Sequence, residues 1–575
     1  MKRMKLWNLA VLAGIMMNWA VVWCFAAEPR SLMREGVPQS QSAAMLPLED
    51  YLDRAQAVWT VRIIGAQLGR PFDSRPGSVG WIDKYTYDPA GNEALTQNQG
   101  ALLDDELYKW ILTLQAFEKY GLDLTPEQLL SHWSEHQAAQ SGAAGVARAV
   151  FQKGIAPPDT GHPRYNRYWH TTESLNHGGL YGLLMPGMPN LAGRVTRKMA
   201  HIRSYAEGAD GGVFAAALVS IAFFEQEPRE VTRKAARLLH PSTPMRQCLD
   251  QVMALAEEGK SATQTVEAMM NRWSPDYPAA DSALTNAGLI AVALWFGEGD
   301  FLKTVNQALA VDYADSACAA AVAGEVLAAM QGMKALPARL VEPLNGRITA
   351  HLAKGQLKIG NLNVPILDLA KQTVALGEKI LLARGGRNAE GMLVIPYEEA
   401  EEMQPETFDL CQFAAWWSPG WSLERAGHGA PGWGKRGVRG GTFLDAEVLA
   451  TYPQNESRSV LLKRRIQLGE NPSLRFECAA DPGKAWRLEV YVNNDRVITQ
   501  LIDGGKPMKW KGITPLEFPA TEEEFQRFKE RRRWEVIRVD LKEYAGQEVV
   551  LRLYQDVLVR DHVPGNAYWR GLQVN

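Results

Sequence analysis

The spacing of the apolar residues changes near Ile395, and this change divides the chain into two kinds of structure. Before it, apolar positions recur with the 3.6-residue period of a helix. Leu107, Trp110, Ile111, Leu114 and Phe117 form one such stripe, and another helix runs from Thr285 through AGLIAVALWFG. The run VFAAALVSIAFF follows Ala209-Asp210-Gly211-Gly212, and alanine- and glycine-rich helices of this sort can pack at close range. After the acidic, Pro-punctuated stretch EEAEEMQPET, which has the composition of a linker, the helical period nearly vanishes. Short β-rich runs replace it: SVLLKRRIQL, SLRFECAA, WRLEVYVNN, RVITQLI, EVIRVDL, EVVLRLYQDVLV and YWRGLQV. Turn signals such as Asp481-Pro482-Gly483 and Ala545-Gly546 separate them, as in an antiparallel β-sandwich. One helical insertion, ATEEEFQRFKERRR, interrupts the strands. The expected architecture is multidomain, with an all-α domain over 45–395 followed by a β-sandwich over 405–575.

The N-terminus has the form of a secretory signal over residues 1–27. Lys2, Arg3 and Lys5 precede an apolar stretch from Leu6 to Phe25, and Cys24-Phe25-Ala26 gives a small-x-small cleavage pattern. The expected location is periplasmic or extracellular. No later stretch reaches the roughly 18 apolar residues that span a bilayer. A net charge of −3 gives no basic excess to attract nucleic acid. Cys248, Cys318, Cys411 and Cys478 lie far apart without zinc-site spacing, and Cys411 and Cys478 are candidates for pairing in an oxidising compartment.

Two acidic helix starts are the main candidates for chemistry. Asp104-Asp105-Glu106 opens LYKWILTLQAFEKYG, and Asp312-Tyr313-Ala314-Asp315-Ser316 opens ACAAAVAGEVLAAM. Asp104 lies seven positions before Ile111 and so falls on the apolar face, with Asp105 and Glu106 rotated away by steps of about 100°. Asp315 shares a face with Ala319, Val322 and Val326 and also points inward. Buried carboxylates need a partner, and an oxygen-rich pair of helix mouths suits a hard cation such as Mg²⁺. The simpler alternative is that each Asp only caps its helix. Asp73, Asp83 and Glu93 lie in the loop before the first start, where a general acid could sit. His162, His170 and His177 are in or near a second loop, as loop histidines of the mostly solvated kind, with Tyr168 and Trp169 beside them as core aromatics.

From about residue 58 to 345 the chain resembles the ADP-ribosylglycohydrolase family. The resemblance rests on Ile64-Gly65-Ala66-Gln67-Leu68-Gly69, Asp104-Asp105, Leu184-Met185-Pro186-Gly187, the segment Trp295 to Phe301, and Asp315-Ser316-Ala317 with Gly324 and Ala335-Leu336-Pro337, in the family's order. It implies an orthogonal all-α fold and a centre of one or two Mg²⁺ or Mn²⁺ ions. It further implies hydrolysis of a glycosidic bond in an ADP-ribosyl or related glycoside. By position, Asp104 and Asp105 would be catalytic, and Asp104, Asp105, Asp315 and Ser316 would hold metal. Leu103 and Ala317 depart from the pattern where the family carries further oxygen ligands, and Asp312 or Glu106 could replace a missing one. The last 100 residues or so resemble galactose-binding-like jelly rolls. Trp416-Trp417-Ser418-Pro419-Gly420-Trp421 and Trp433 are candidates for packing at the sandwich or domain interface, or for stacking on sugar. The competing reading is a catalytically degenerate scaffold whose sandwich binds glycan or a surface partner.

Overall fold

The computed structural model describes residues 43–85, 101–102, 104–136, 138–139, 141–277, 279–349, 362–427, 440–454, 457–506, 522–558 and 565–575. The proposed signal, Glu93, Leu103 and Trp433 lie outside these residues. Two helix pairs form the centre of the helical domain. α1 (Leu48–Gly69) runs along α6 (Ser316–Gln331), and α4 (Glu173–Leu184) runs along α5 (Ala206–Ala222). α5 is buried on every side, and α6 on all but Ala317 and Gln331, the pattern of a helix enclosed by others. α2 (Asp105–Tyr120) and α3 (Pro126–Glu135) pack together, and α2 contacts α4.

The α1–α6 contact depends on Gly65 and Gly69. A Cβ on Gly65 would lie 2.4 Å from the Ala321 Cα, and one on Gly69 2.4 Å from the Ser316 carbonyl oxygen. Without those Cβ atoms the two backbones meet. This brings the chain after α1 directly to the first turn of α6.

Among the described residues, ten strands form the C-terminal sandwich: β1 (Ser422–Glu424), β2 (Phe443–Asp445), β3 (Val448–Thr451), β4 (Val460–Gln467), β5 (Ser473–Ala480), β6 (Ala485–Val492), β7 (Asp495–Asp503), β8 (Glu535–Asp540), β9 (Glu548–Asp556) and β10 (Ala567–Val574). They make two antiparallel five-stranded sheets, ordered β7-β6-β9-β4-β1 and β8-β5-β10-β3-β2. Leu474, Phe476 and Cys478 of one sheet and Val549, Leu551 and Leu553 of the other alternate inward and share a core. The inserted helix Glu522–Glu530 forms where expected.

The acidic stretch after Pro396 differs from a free linker, because it is bound to the helical domain. The Glu398 carboxylate accepts the Leu191 N–H, Asn190 bonds the backbone of Glu399 and Glu401, Met403 N–H donates to the Leu238 carbonyl, and Glu406 meets His201 at 2.8 Å. It leads to a junction where Trp169 packs edge-on against Phe408 at 5.1 Å and Phe408 stacks on Trp416. Trp169 belongs to the same apolar cluster as the sandwich core. The tryptophan-rich segment therefore packs the domain interface; Trp421 is buried with it. Cys411 and Cys478 are free thiols: Cys411 contacts the Leu423 carbonyl, and Cys478 faces the interior of β5. No described helix is long and apolar enough to cross a membrane.

Candidate metal centre

Both acidic starts are helix caps in the structure. Asp104 is the N-cap of α2 and accepts the Leu107 N–H at 2.6 Å, and Asp315 caps α6 and accepts the Cys318 N–H at 3.1 Å. The capping alternative is thus correct as local structure, but it does not exhaust what surrounds these groups. The other Asp315 oxygen accepts the Thr172 hydroxyl at 2.5 Å. Asp73, delivered by the close α1–α6 approach, accepts the Ala317 N–H at 2.7 Å. Two carboxylates therefore sit on the opening turn of one helix, where the unsatisfied N–H groups favour negative charge.

That favour is not enough to balance the charge. Burial first, then the neighbouring Asp315, pushes the Asp73 carboxyl up to about 8. Burial and Asp315 push Asp281, in the loop before Ala283–Gly297, up to about 7. Asp315 is itself raised by burial with Asp105 opposing its ionisation, and Asp104 by burial with Asp105 and Glu106. The buried Arg62 of α1 lowers Asp104 and Asp315, while bonded to Glu325 at 3.3 Å and Asn176 at 2.9 Å, and Arg70 and Arg75 lower Asp73. The Asp105 side chain is largely exposed and pairs with Lys109 at 3.1 Å.

The donor set fits a hard divalent cation. It consists of oxygens, its carboxyls oppose one another's ionisation although Arg62, Arg70 and Arg75 lower them in part, and the Ser316 Oγ is buried with no hydrogen-bond partner. Ala317 brings no side-chain oxygen and contributes only its N–H to Asp73.

Glu106 is the clearest correction to the sequence reading. Asp104 has extended backbone, φ −92° and ψ 169°, so counting helical steps from it misplaces its neighbours. The helix begins at Asp105, and Glu106 points inward. Its carboxylate takes a forked bond from Arg203 at 2.9 and 3.0 Å and meets Lys109 at 2.6 Å and His177 Nδ1 at 3.6 Å. Arg203 and Lys109 hold its pKa well below the usual range despite burial, so its carboxylate is engaged as their counter-ion. The histidines also differ from solvated loop residues. His177 lies inside α4, buried and pushed down to about 4; His170 is buried, and His162 packs between Tyr205 and Trp416. Asp312 bonds the Gly77 N–H, and Asp83 pairs with Arg339, so neither is drawn into the acidic cluster by these contacts. Nothing local in the sequence marks Asp281. A lone Asp in a loop acquires meaning only from what packs on it.

An all-α domain whose helix mouths gather aspartates around one buried turn defines the class of fold and site. The family model described as ADP-ribosylglycohydrolase matches residues 47–370, more than half of the chain, and the protein belongs to that family. Among solved structures, an "ADP-ribosylglycohydrolase-related protein complex" is similar at 14% identity and TM-score 0.40, covering 57% of this chain and 98% of that one. A family GH115 4-O-methyl-α-glucuronidase, BtGH115A, described as specific for decorated arabinogalactans, is similar at 11% identity and TM-score 0.16. It covers 67% of this chain and 41% of that one. Comparison with curated proteins finds no match.

Proposed function

We propose that the protein is a metal-assisted hydrolase of an N- or O-glycosidic bond in an ADP-ribosyl or related glycoside. The observation that carries this is the surplus of buried carboxylates around Asp315, with the unpartnered Ser316 hydroxyl beside them. In this reading Asp104, Asp105, Asp315 and Ser316 hold one or two Mg²⁺ or Mn²⁺ ions, and Asp73 adds a carboxylate that the motif reading left among loop candidates. Such an ion would supply orientation of the ribose hydroxyls and a more acidic water. Asp73, in its carboxylate form, would take a proton from the attacking water as its oxygen bonds the anomeric carbon and the glycosidic bond breaks, and would return that proton to the departing atom, which leaves with the bond electrons. The signal-like residues 1–27 support export, and the sandwich then acts as an accessory domain outside the cytoplasm.

A second reading, a degenerate scaffold whose sandwich binds glycan, is favoured by Ala317 and by Arg62, which already places a fixed cation beside Asp104. Calorimetric titration of Mg²⁺ and Mn²⁺ into chelator-treated protein separates the two. Saturable binding lost in Asp104→Ala and Asp315→Ala, together with release of ADP-ribose from ADP-ribosylated substrates, supports the hydrolase. Absence of binding in the unaltered protein overturns it.

A further inference from the structure

Away from the acidic cluster, the end of α3 carries His132-Trp133-Ser134-Glu135-His136. Two histidines four residues apart lie on one helix face, and the same His-x-x-Glu-His spacing occurs in helical zinc sites. Here the rings are neighbours, with centroids 4.3 Å apart and planes tilted by 49°. One ring nitrogen from each histidine and a Glu135 carboxylate oxygen lie within 4.8 Å of one another.

The hydrogen bonding leaves these groups prepared to bind. His136 Nδ1 lies 2.9 Å from the His132 carbonyl oxygen. A carbonyl can only accept, so Nδ1 carries the proton and the lone pair is on Nε2. Fixing a ligand's tautomer through its other nitrogen is the usual support for a metal-binding imidazole. The Tyr108 hydroxyl, 3.1 Å from the His136 carbonyl, holds the segment from α2. His132 is only 4% exposed, yet neither of its ring nitrogens has a hydrogen-bond partner.

We propose that His132, Glu135 and His136 form a second metal site, independent of the acidic centre, for one zinc-class divalent transition ion. Two imidazoles and one carboxylate suit Zn²⁺ and not Mg²⁺, which prefers an all-oxygen shell. Bonds of about 2.0–2.2 Å in a tetrahedron require donors about 3.4 Å apart, so donors within 4.8 Å of one another must draw in by at most about 1.4 Å. The exposed Glu135 and His136 side chains have that freedom. Lys119, 4.0 Å from Glu135, would release it on binding. Three protein ligands leave a fourth position for water or a ligand from solution.

The test uses the full chain without a histidine tag, stripped with chelator and titrated with Zn²⁺ in excess Mg²⁺. Calorimetry and elemental analysis give stoichiometry, and the visible bands of a Co²⁺ derivative report tetrahedral geometry. The expected result is one equivalent of Zn²⁺ in both the unaltered protein and Asp104→Ala. Binding falls at least tenfold in His136→Ala, an exposed change that leaves the fold intact by circular dichroism, and also weakens in Glu135→Gln. Zn²⁺ binding that persists in His136→Ala overturns the proposal, as does binding lost in Asp104→Ala, which would place the ion in the acidic centre. Failure of Zn²⁺ to bind the unaltered protein overturns it as well.

Discussion

Replacing Glu106 with Gln tests whether this acid is a counter-ion or a ligand. The change keeps the shape of the side chain and removes its charge. Arg203 and Lys109 are each only 2% exposed at the side chain, so two cations lose a partner where water cannot replace it. Breaking a buried pair typically costs about 3–5 kcal/mol. The lower end applies here, since Glu173 remains 3.1 Å from Arg203 and Asp105 3.1 Å from Lys109. For a domain of several hundred residues roughly 1–2 °C is lost per kcal/mol, so the melting midpoint should fall by roughly 3–6 °C. The pH dependence has a definite sign. The folded pKa of Glu106 is depressed, so its contribution is present above the unfolded carboxylate range and is lost as pH falls through the folded value. The unaltered protein should therefore lose stability toward acid more steeply than Glu106→Gln. Thermal melts followed by circular dichroism across the acid range, with Mg²⁺ titration alongside, give both readouts. A loss below about 1 kcal/mol, or Mg²⁺ binding abolished in the variant, would refute the counter-ion assignment.

Three further outcomes follow from the centre's geometry. Gly69→Ala places a methyl 2.4 Å from the Ser316 carbonyl oxygen, and should cost at least about 1–3 kcal/mol in denaturant unfolding and weaken Mg²⁺ binding by displacing Asp73. Ser316→Ala removes a buried hydroxyl that has no partner, so metal-free stability should stay within about 1 kcal/mol of the unaltered protein while Mg²⁺ affinity falls; unchanged affinity would exclude Ser316 as a ligand. Asp73 is raised to about 8, so its proton must leave before a cation is held. Calorimetric Mg²⁺ affinity should then fall as pH drops below about 8, up to about tenfold per unit, and this dependence should become shallower in Asp73→Asn, with the raised carboxyls of Asp281, Asp315 and Asp104 carrying the remainder. In the metal-free protein the same raised pKa works against folding as pH rises from the unfolded value toward 8, so chelator-treated protein should gain stability on mild acidification over that window.

The parts of this structure that could be read from sequence are those fixed by near neighbours. The change of apolar period near Ile395 marks where helices give way to strands, because burial of one face imposes the repeat on the residues themselves. Asp104 and Asp315 lie at helix starts because a cap needs only its own next three residues. The His132–His136 pair is of the same local kind, four residues apart on one helix, though only the structure shows that both nitrogens of His132 are without a partner. The inward turn of Glu106 was not legible, since it depends on where the helix begins and on Arg203, nearly 100 residues away in sequence. Asp73 and Asp281 join the acidic cluster only through packing. Gly65 and Gly69 announce a close helix contact but not the identity of the partner helix, and that partner determines which loop arrives at Ala317. The acidic stretch after Pro396 has a linker's composition, yet tertiary hydrogen bonds to Asn190, Leu191 and Leu238 hold it against the helices. Local propensity and capping are encoded within a turn or two of chain. The partners of a buried charge are chosen by the fold, because desolvation selects whatever opposite charge or dipole packing brings within reach.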